Sequence, residues 1–491
     1  MTKVGIRDGL GASNEKRETR NWKLEIIVTL SPPHLVIPHD TGPVAALASA
    51  WRAAGGRTFF VGEEKGDISD LPPWVVLVGS RFSAERRAAI TAWGCRLLVI
   101  DGAGDWPLHA CQTHAAQGID RAPPDLLLNP SLAADLLPYP FDAKPLLLLG
   151  TRYALAPPEF DAWREWHRPL PAMARKILVA CGDSVAHATT RQVLRAIESL
   201  DIAGLQAKVL TAEADRPALM AWADLAISTP DSICPELAMM QLPALLIVAD
   251  DNQQPLARQL ERAGVAEILG WAETLTVPAI AEAILALCRD PDSRSAQGMA
   301  GRRLVDGGGA RHAVAIMRAL DEPLPNESLL LRPAVVDDLF QLWRQANEPS
   351  ILRTSLRPEA SSLDEFDDWL SRTLADPQCR LWVLEFHGLL AAQIRYDRKG
   401  PDWAEVCISV AAPLRRRGLG TRLLTATAET ACRELGVSRL RAVVRAENRP
   451  SQETFRRAGF SLVESRPIEG IACHVLDLPK CVGWGKVESR G

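Results

Sequence analysis

Residues 415–420 read Arg-Arg-Arg-Gly-Leu-Gly, between an apolar run, AEVCISVAA (404–412), and a helical pattern, GTRLLTATAETACREL (420–435). A strand, a tight glycine-containing turn and a helix N-terminus aim several backbone N–H groups at one place, where the helix dipole adds positive charge. Glycine lets the backbone come close to a ligand, and arginine side chains add cationic charge. The guest expected in such a turn is a pyrophosphate. R-x-x-G-x-G alone also describes a solvated basic turn.

The surrounding sequence narrows this choice. Downstream comes Asn448, opening the stretch NRPSQETFRRAGF (448–460), which reads as a strand end, a helix and a terminal Gly-Phe. Upstream, LLLRPA (329–334) reads as a strand and DDLFQLWRQAN (337–347) as an amphipathic helix, with a second helix around EFDDWLSRTLAD (365–376). LWVLEFHGLLAAQIRYDR (381–398) is a hairpin pattern turning at His387-Gly388. Together these elements make a mixed α+β domain. DEPLPNES (321–328), with two prolines, is the expected linker before it.

In this order and context the two motifs resemble the GNAT superfamily of acetyltransferases, whose R/Q-x-x-G-x-G/A loop matches Arg415, Gly418 and Gly420. Asn448, Ser451, Phe455, Gly459 and Phe460 match its second landmark. The opening LRPAVVDDLFQLWRQAN resembles the branch that acetylates amino sugars on nucleotide carriers. The resemblance implies acetyl-CoA as cofactor, with its pyrophosphate on Arg415, Arg416, Arg417, Gly418, Leu419 and Gly420. The strand at Ser409 and Val410 would pair with pantetheine, and Asn448 would lie beside the cofactor. An amine must lose a proton before it attacks a thioester, so a carboxylate is needed; Glu405, on the strand leading into the loop, is the candidate base. Many relatives place a proton-donating tyrosine where this chain has Phe455.

Before the linker, apolar runs alternate with helical patterns. LEIIVTL (24–30), WVVLVG (74–79), RLLVID (96–101) and PLLLLG (145–150) form one series. KILVACG (176–182), QAKVLTA (206–212), ADLAIS (223–228) and PALLIVAD (243–250) form another. Such alternation predicts parallel sheets covered by helices. The expectation is two Rossmann-like lobes, residues 23–160 and 161–320, followed by the acetyltransferase domain over 329–480. Residues 1–22 and 481–491 are expected to be tails.

LLLNPSL (126–132), LLLGTRYALAPPEF (147–160), ILVACGDS (177–184), the long run 223–264 and RRLVDGGGARH (302–312) resemble the UDP-sugar hydrolase of pseudaminic-acid biosynthesis, which has a glycosyltransferase-B-like fold. The resemblance implies a nucleotide-sugar site at Ser232, Glu236, Asn252 and Gln253. Its active-site landmarks are eroded. Pro43 stands where that family has a catalytic histidine, with His34 and His39 out of register. Asp183 and Asp231 replace glycines in the family's glycine-rich loops. A degenerate hydrolase site follows, with two alternatives: a bifunctional enzyme with both steps intact, or a non-catalytic binding or scaffolding module. Glu236 also reads simply as an acid in the first turn of a helix.

Composition sets the outer limits. The 491 residues carry 56 basic and 60 acidic side chains, net −4, which is no electrostatic footprint for nucleic acid. The ten cysteines are scattered without a CxxC pair, so neither a zinc site nor a disulfide framework is expected and the setting reads as reduced and cytoplasmic. No apolar run approaches the ~20 residues of a membrane span, and the N-terminus lacks a signal-peptide core. The expected partner is a small-molecule amino sugar, free or UDP-linked.

Overall fold

Three sheets organise the chain. In the computed structural model, residues 145–181, 188–211, 214–356 and 358–478 are described continuously; before them come 25–29, 43–55, 57–60, 74–78, 91–92, 94–101, 123–132, 134, 137 and 139. His34, His39, Asp183, the Gly-Asp-Ser segment around it and both expected tails lie outside the described residues. Pro43 opens a helix, Pro43–Ala53, a place where its missing N–H costs nothing.

The first sheet holds β1 (Glu25–Thr29), β2 (Arg57–Phe60), β3 (Trp74–Val78), β4 (Arg96–Ile100), β5 (Leu126–Asn129) and β6 (Leu146–Leu149), in the order β2-β1-β3-β4-β5-β6. The second holds β7 (Lys176–Ala180), β8 (Gln206–Val209), β9 (Leu225–Ser228), β10 (Ala244–Val248) and β11 (Ala266–Trp271), ordered β11-β10-β9-β7-β8. Every pairing in both is parallel. β9 and β10 are buried along their whole length, which is why they read as unbroken apolar runs rather than alternating ones. β2, β5 and β11 were not among the expected strands; β5 is a central strand of only four residues, LLLN. β2 and β11 are edge strands, β11 is only partly buried, and RTFF and AEILGW lack a long apolar run.

The third sheet is mixed: β12 (Leu329–Pro333), β13 (Cys379–Phe386), β14 (Leu389–Arg398), β15 (Trp403–Val410), β16 (Arg439–Arg445), β17 (Ser461–Ile468) and β18 (Ile471–Leu478), ordered β12-β13-β14-β15-β16-β18-β17. His387 and Gly388, both at positive φ, turn the β13–β14 hairpin as expected. On one face lies the helix Leu419–Leu435, burying Leu419, Leu423, Leu424, Thr427, Ala428, Ala431, Cys432 and Leu435, the stripe that a 3.6-residue period presents to a sheet. The helices Leu339–Ala346 and Leu363–Ala375 cover the other face through Leu342, Phe366 and Leu370. Ser362 and Glu365 start the second of these with a reciprocal capping box.

The helix Gly309–Asp321 ends the second series but packs back onto the first sheet, against the helix Pro43–Ala53. One continuous apolar cluster runs from Trp74, Leu98 and Leu128 through Val314 and Met317 to Phe386, Leu389 and Leu424. The first sheet and the C-terminal domain therefore share a core. At their border Arg152 pairs with Glu385 at 2.5 Å, and Glu385 also holds Arg332, which pairs with Asp338. Among the described residues seven cysteines are free, but Cys432 is disulfide-bonded. That corrects the expectation of uniformly reduced cysteines, because pairing depends on Cα separation in the fold and not on sequence spacing.

Candidate active site

β15 and β16 pair in parallel only at Trp403–Arg439, Ala404–Leu440 and Glu405–Arg441, although β15 continues to Val410 and β16 to Arg445. Past Glu405 the strands separate and open a notch in the sheet. The N–H of Arg439 donates to the carbonyl of Asp402 at 3.1 Å, so even-numbered residues of β15 face β16. By alternation, the backbones of Ile408 and Val410 face the notch. On the far side Ala446 N–H donates to Ala472 in β18, which leaves Val443 and Arg445 facing inward. Two of these carbonyls are taken, Val410 O by Arg415 Nε and Arg445 O by Asn448 N–H; the strand groups left over are a template for an extended ligand. The expectation for Ser409 needs one correction: its backbone faces β14, in register with Gln393. Its hydroxyl is buried and has no hydrogen-bond partner, the sort of orphaned polar atom a ligand or water normally satisfies.

Beyond β15 the loop Arg415–Gly420 leads into the helix Leu419–Leu435. Gly418 is its N-cap at φ 77°, ψ 0°, and Arg416 also has positive φ. Among the described residues, no protein acceptor takes the N–H groups of residues 416–420, whereas Arg415 N–H is spent on Ala412. A Cβ on Gly418 would meet nothing within 4 Å, so the space in front of the helix is open. Gly420 has a different reason to be glycine: a Cβ there would lie 2.9 Å from Thr454, where the helix Arg449–Arg457 crosses.

The arginine side chains do not gather on the loop as the sequence suggested. Arg415 turns inward, donating to Val410 O at 3.0 Å, Ser350 Oγ at 2.7 Å and Glu348 at 3.2 Å. Arg417 turns away to the helix Gly309–Asp321, donating to the carbonyls of Ala319, Leu320 (2.9 Å) and Glu322 (2.7 Å). Only Arg416 projects into solvent. The loop thus offers mainly backbone N–H groups to an anion. Asn448 caps the helix Arg449–Arg457, its Oδ1 accepting Ser451 N–H at 3.2 Å; that local role accounts for its position at the strand end.

Glu405 stands at the closed end of the notch, the last paired residue of β15, between Asp397 and Arg441 on the adjacent strands. Its neighbours are occupied: Arg441 is bidentate to Asp477 at 2.8 Å, and Arg395 pairs with Asp397 while lying over the Trp369 ring. Among the described residues no hydrogen bond or ion pair engages the Glu405 carboxylate, which is half-buried. Phe455 is 2% exposed and packs edge-on against Phe460 at 5.1 Å. The three tyrosines, 139, 153 and 396, are all buried. Tyr396 bonds Thr427 at 2.8 Å, and burial pushes its phenol well above the ordinary range.

The second-lobe residues are arranged differently. Asp231 accepts the Thr229 hydroxyl at 2.7 Å and Ile233 N–H at 3.0 Å, closing its own loop. Glu236, 6% exposed, lies 2.9 Å from Arg216, and burial pushes its carboxyl up to about 7 despite that partner. Gln253 accepts Ala249 N–H at 2.8 Å; Ser232 and Asn252 are exposed.

Residues 328–461 match the family profile of the acetyltransferase (GNAT) domain. The span contains Glu405, the notch and the loop, so the C-terminal domain is an acetyltransferase domain of that family, while the preceding residues lie outside the match. No curated protein matches the chain. Among solved structures, a GNAT-family acetyltransferase from Streptococcus pneumoniae is 20% identical, covering 30% of this chain and 98% of its own, with TM-score 0.28. The spermidine N-acetyltransferase of Vibrio cholerae, in complex with CoA and spermine, is 19% identical over 32% and 97%, with TM-score 0.29. An aminoglycoside acetyltransferase in complex with coenzyme A is 17% identical over 31% and 95%, with TM-score 0.28. Among the described residues no helix is long and apolar enough to cross a membrane.

Proposed function

We propose that this chain transfers an acetyl group from acetyl-CoA to the amine of an amino sugar, free or nucleotide-linked, as in pseudaminic-acid-like glycan synthesis. The observation that carries the proposal is the notch itself: strand edge left unpaired at Ile408 and at the Val410 N–H, free N–H groups at 416–420, and an unengaged carboxylate at its closed end. The orphaned Ser409 hydroxyl fits a cofactor threaded along that edge. Bound acetyl-CoA would supply the activated thioester. The loop amides and the helix dipole would hold its pyrophosphate, and the exposed edge of β15 would fix the extended arm. Glu405 would take the proton from the incoming ammonium, directly or through one water. With the three tyrosines buried and Phe455 at the usual donor position, another group or water would protonate the departing thiolate, or the step would run without a general acid.

The amino-sugar acceptor rests on the resemblance of the opening segment 331–347 to sugar-directed relatives. For the first 320 residues we favour a non-catalytic nucleotide-sugar-binding or scaffolding module. Its support is the self-closed Asp231 loop and the occupied Glu236, which leave few groups free for hydrolysis. Thiol release from acetyl-CoA, measured with a panel of amino-sugar nucleotides, tests the central reading. Absence of both acetyl-CoA binding and thiol release would sink it. UDP release from a diacetamido sugar at ordinary enzyme rates would replace the module by a bifunctional enzyme.

A further inference from the structure

Arg417 belongs to the loop in front of the helix Leu419–Leu435, yet its guanidinium is spent at the C-terminal end of the helix Gly309–Asp321, on the carbonyls of Ala319, Leu320 and Glu322. Those are the carbonyls a helix leaves without intrahelical partners, and the negative end of its dipole favours a cation there. The same turn is tied to the first sheet. Asp321 accepts the Trp74 indole N–H at 3.1 Å and Arg96 Nε at 2.7 Å. Arg96 also donates to Leu320 O at 3.1 Å, so this one carbonyl takes a hydrogen bond from β4 and another from the loop. The hollow bordering Gly418 and Leu419 is lined by Asp321, Glu322, Pro323 and Leu324.

We propose that the N-terminal unit positions the acetyl-CoA loop, with Asp321 and Arg96 as positioning residues acting through Arg417. The inference rests on the cofactor reading above. An isolated loop with Arg416 and Gly418 at positive φ has few contacts of its own to hold it. Three hydrogen bonds from Arg417 to a helix end that is itself clamped to β3 and β4 fix the loop before any ligand arrives. Fixing a loop in its bound conformation removes an ordering cost from binding. The energy is gained in ground state and transition state alike, so it appears in cofactor affinity and not in kcat. By linkage, the cofactor must tighten the docking of the first sheet by the same factor.

The test uses the full chain, with CoA as calorimetric probe and acetyl-CoA in the thiol-release assay. Asp321→Ala and Arg96→Gln, neither in the loop, should each weaken CoA by roughly 5- to 20-fold, the lower part of the ~5- to 150-fold range of typical coupling between sites. KM for acetyl-CoA should rise in step while kcat at saturation holds, and Asp321→Glu should recover most of the affinity. If either folded variant binds CoA as wild type does, even with a lowered melting point, the clamp is structural glue and the proposal is overturned. A wild-type chain that binds no CoA would instead overturn the cofactor reading beneath it.

Discussion

Two of the loops that leave a parallel-paired strand and enter a helix, one after β15 and one after β9, end in opposite states. After β9, Asp231 folds back onto Thr229 and Ile233, and the helix that follows, Cys234–Met239, has its only first-turn acid, Glu236, held by Arg216. After β15, Gly418 carries no side chain to fold back, and the N–H groups of residues 416–420 stay free. A loop that satisfies its own donors is rigid and closed to anions. One that leaves them over is held from outside, here by Arg417, and is open to an anion. The same strand–loop–helix grammar therefore yields a self-closed turn in one sheet and, in the other, the open loop proposed as an anion cradle, and the presence of an aspartate in the turn goes with the closed form.

The most severe way to break that contrast is to convert the second loop into the first. Gly418→Asp places a carboxylate at the N-cap of the helix Leu419–Leu435. Aspartate tolerates positive φ better than most residues and is favoured at helix N-termini, so the protein should fold. Its side chain would claim the free amides and repel a pyrophosphate, lowering CoA affinity by at least about 100-fold, from lost charge-assisted hydrogen bonds plus like-charge repulsion. Calorimetry on a variant with a wild-type melting curve reads this directly; retained affinity would mean that the loop does not hold the pyrophosphate.

Next in size is the acid at the closed end of the notch. Glu405→Gln keeps the shape and removes the base, so kcat should fall by roughly 100- to 10,000-fold, the usual contribution of a general base. KM for acetyl-CoA should stay within a factor of about two, because the lost interaction is with the proton in flight. An undiminished kcat would leave Glu405 as an ordinary strand charge.

The buried acid of the other loop should speak through stability instead. Burial raises the Glu236 carboxyl to about 7 in the folded chain, against an ordinary value of 4.5 for a solvated glutamate. A carboxyl raised in this way favours the folded state most below the unfolded value, and that contribution is lost as pH rises from about 4.5 through 7. The loss should be about 3 kcal/mol, from roughly 1.36 kcal/mol for each of the ~2.5 pH units separating folded from unfolded value, the Arg216 pairing being already contained in the folded value. Glu236→Gln should flatten the fall in the unfolding midpoint between about pH 5 and pH 8. The same slope in both proteins would show that Glu236 does not titrate there.

Much of this was legible in the sequence alone. RRRGLG, Asn448 and the hairpin at His387-Gly388 announced a mixed domain with a glycine turn entering a helix, because turns and caps are local chemistry. The apolar runs announced parallel strands for the same reason; β2 and β11 escaped notice because edge strands need no such run, and β5 because its run is only four residues long. The notch was not legible. That β15 and β16 part company after Glu405 is a tertiary fact, and so is the closure of the loop around Asp231. The arginines misled, since a basic run states charge but not direction: Arg415 and Arg417 are consumed by Glu348 and by a helix far upstream, Gly309–Asp321.

Ser409 offers the finest test, because affinity separates two readings of its orphaned hydroxyl. If the group is merely a buried flaw, Ser409→Ala removes an unsatisfied hydroxyl and should stabilise the chain by roughly 1 kcal/mol, leaving CoA affinity alone. If it waits for the cofactor, the same variant should gain that stability when empty and lose about 3- to 10-fold in CoA affinity, the worth of one neutral hydrogen bond in a desolvated site. The stability gain follows from the apo structure in both cases, so it decides nothing by itself. Asp231→Asn supplies the contrasting control, since its bonds are made within the protein and its loss should lower the unfolding midpoint without touching CoA at all. Measuring both variants by calorimetry and thermal unfolding therefore asks, at the scale of one hydroxyl, whether polar groups left over in one loop and used up in the other mark the place where a ligand belongs.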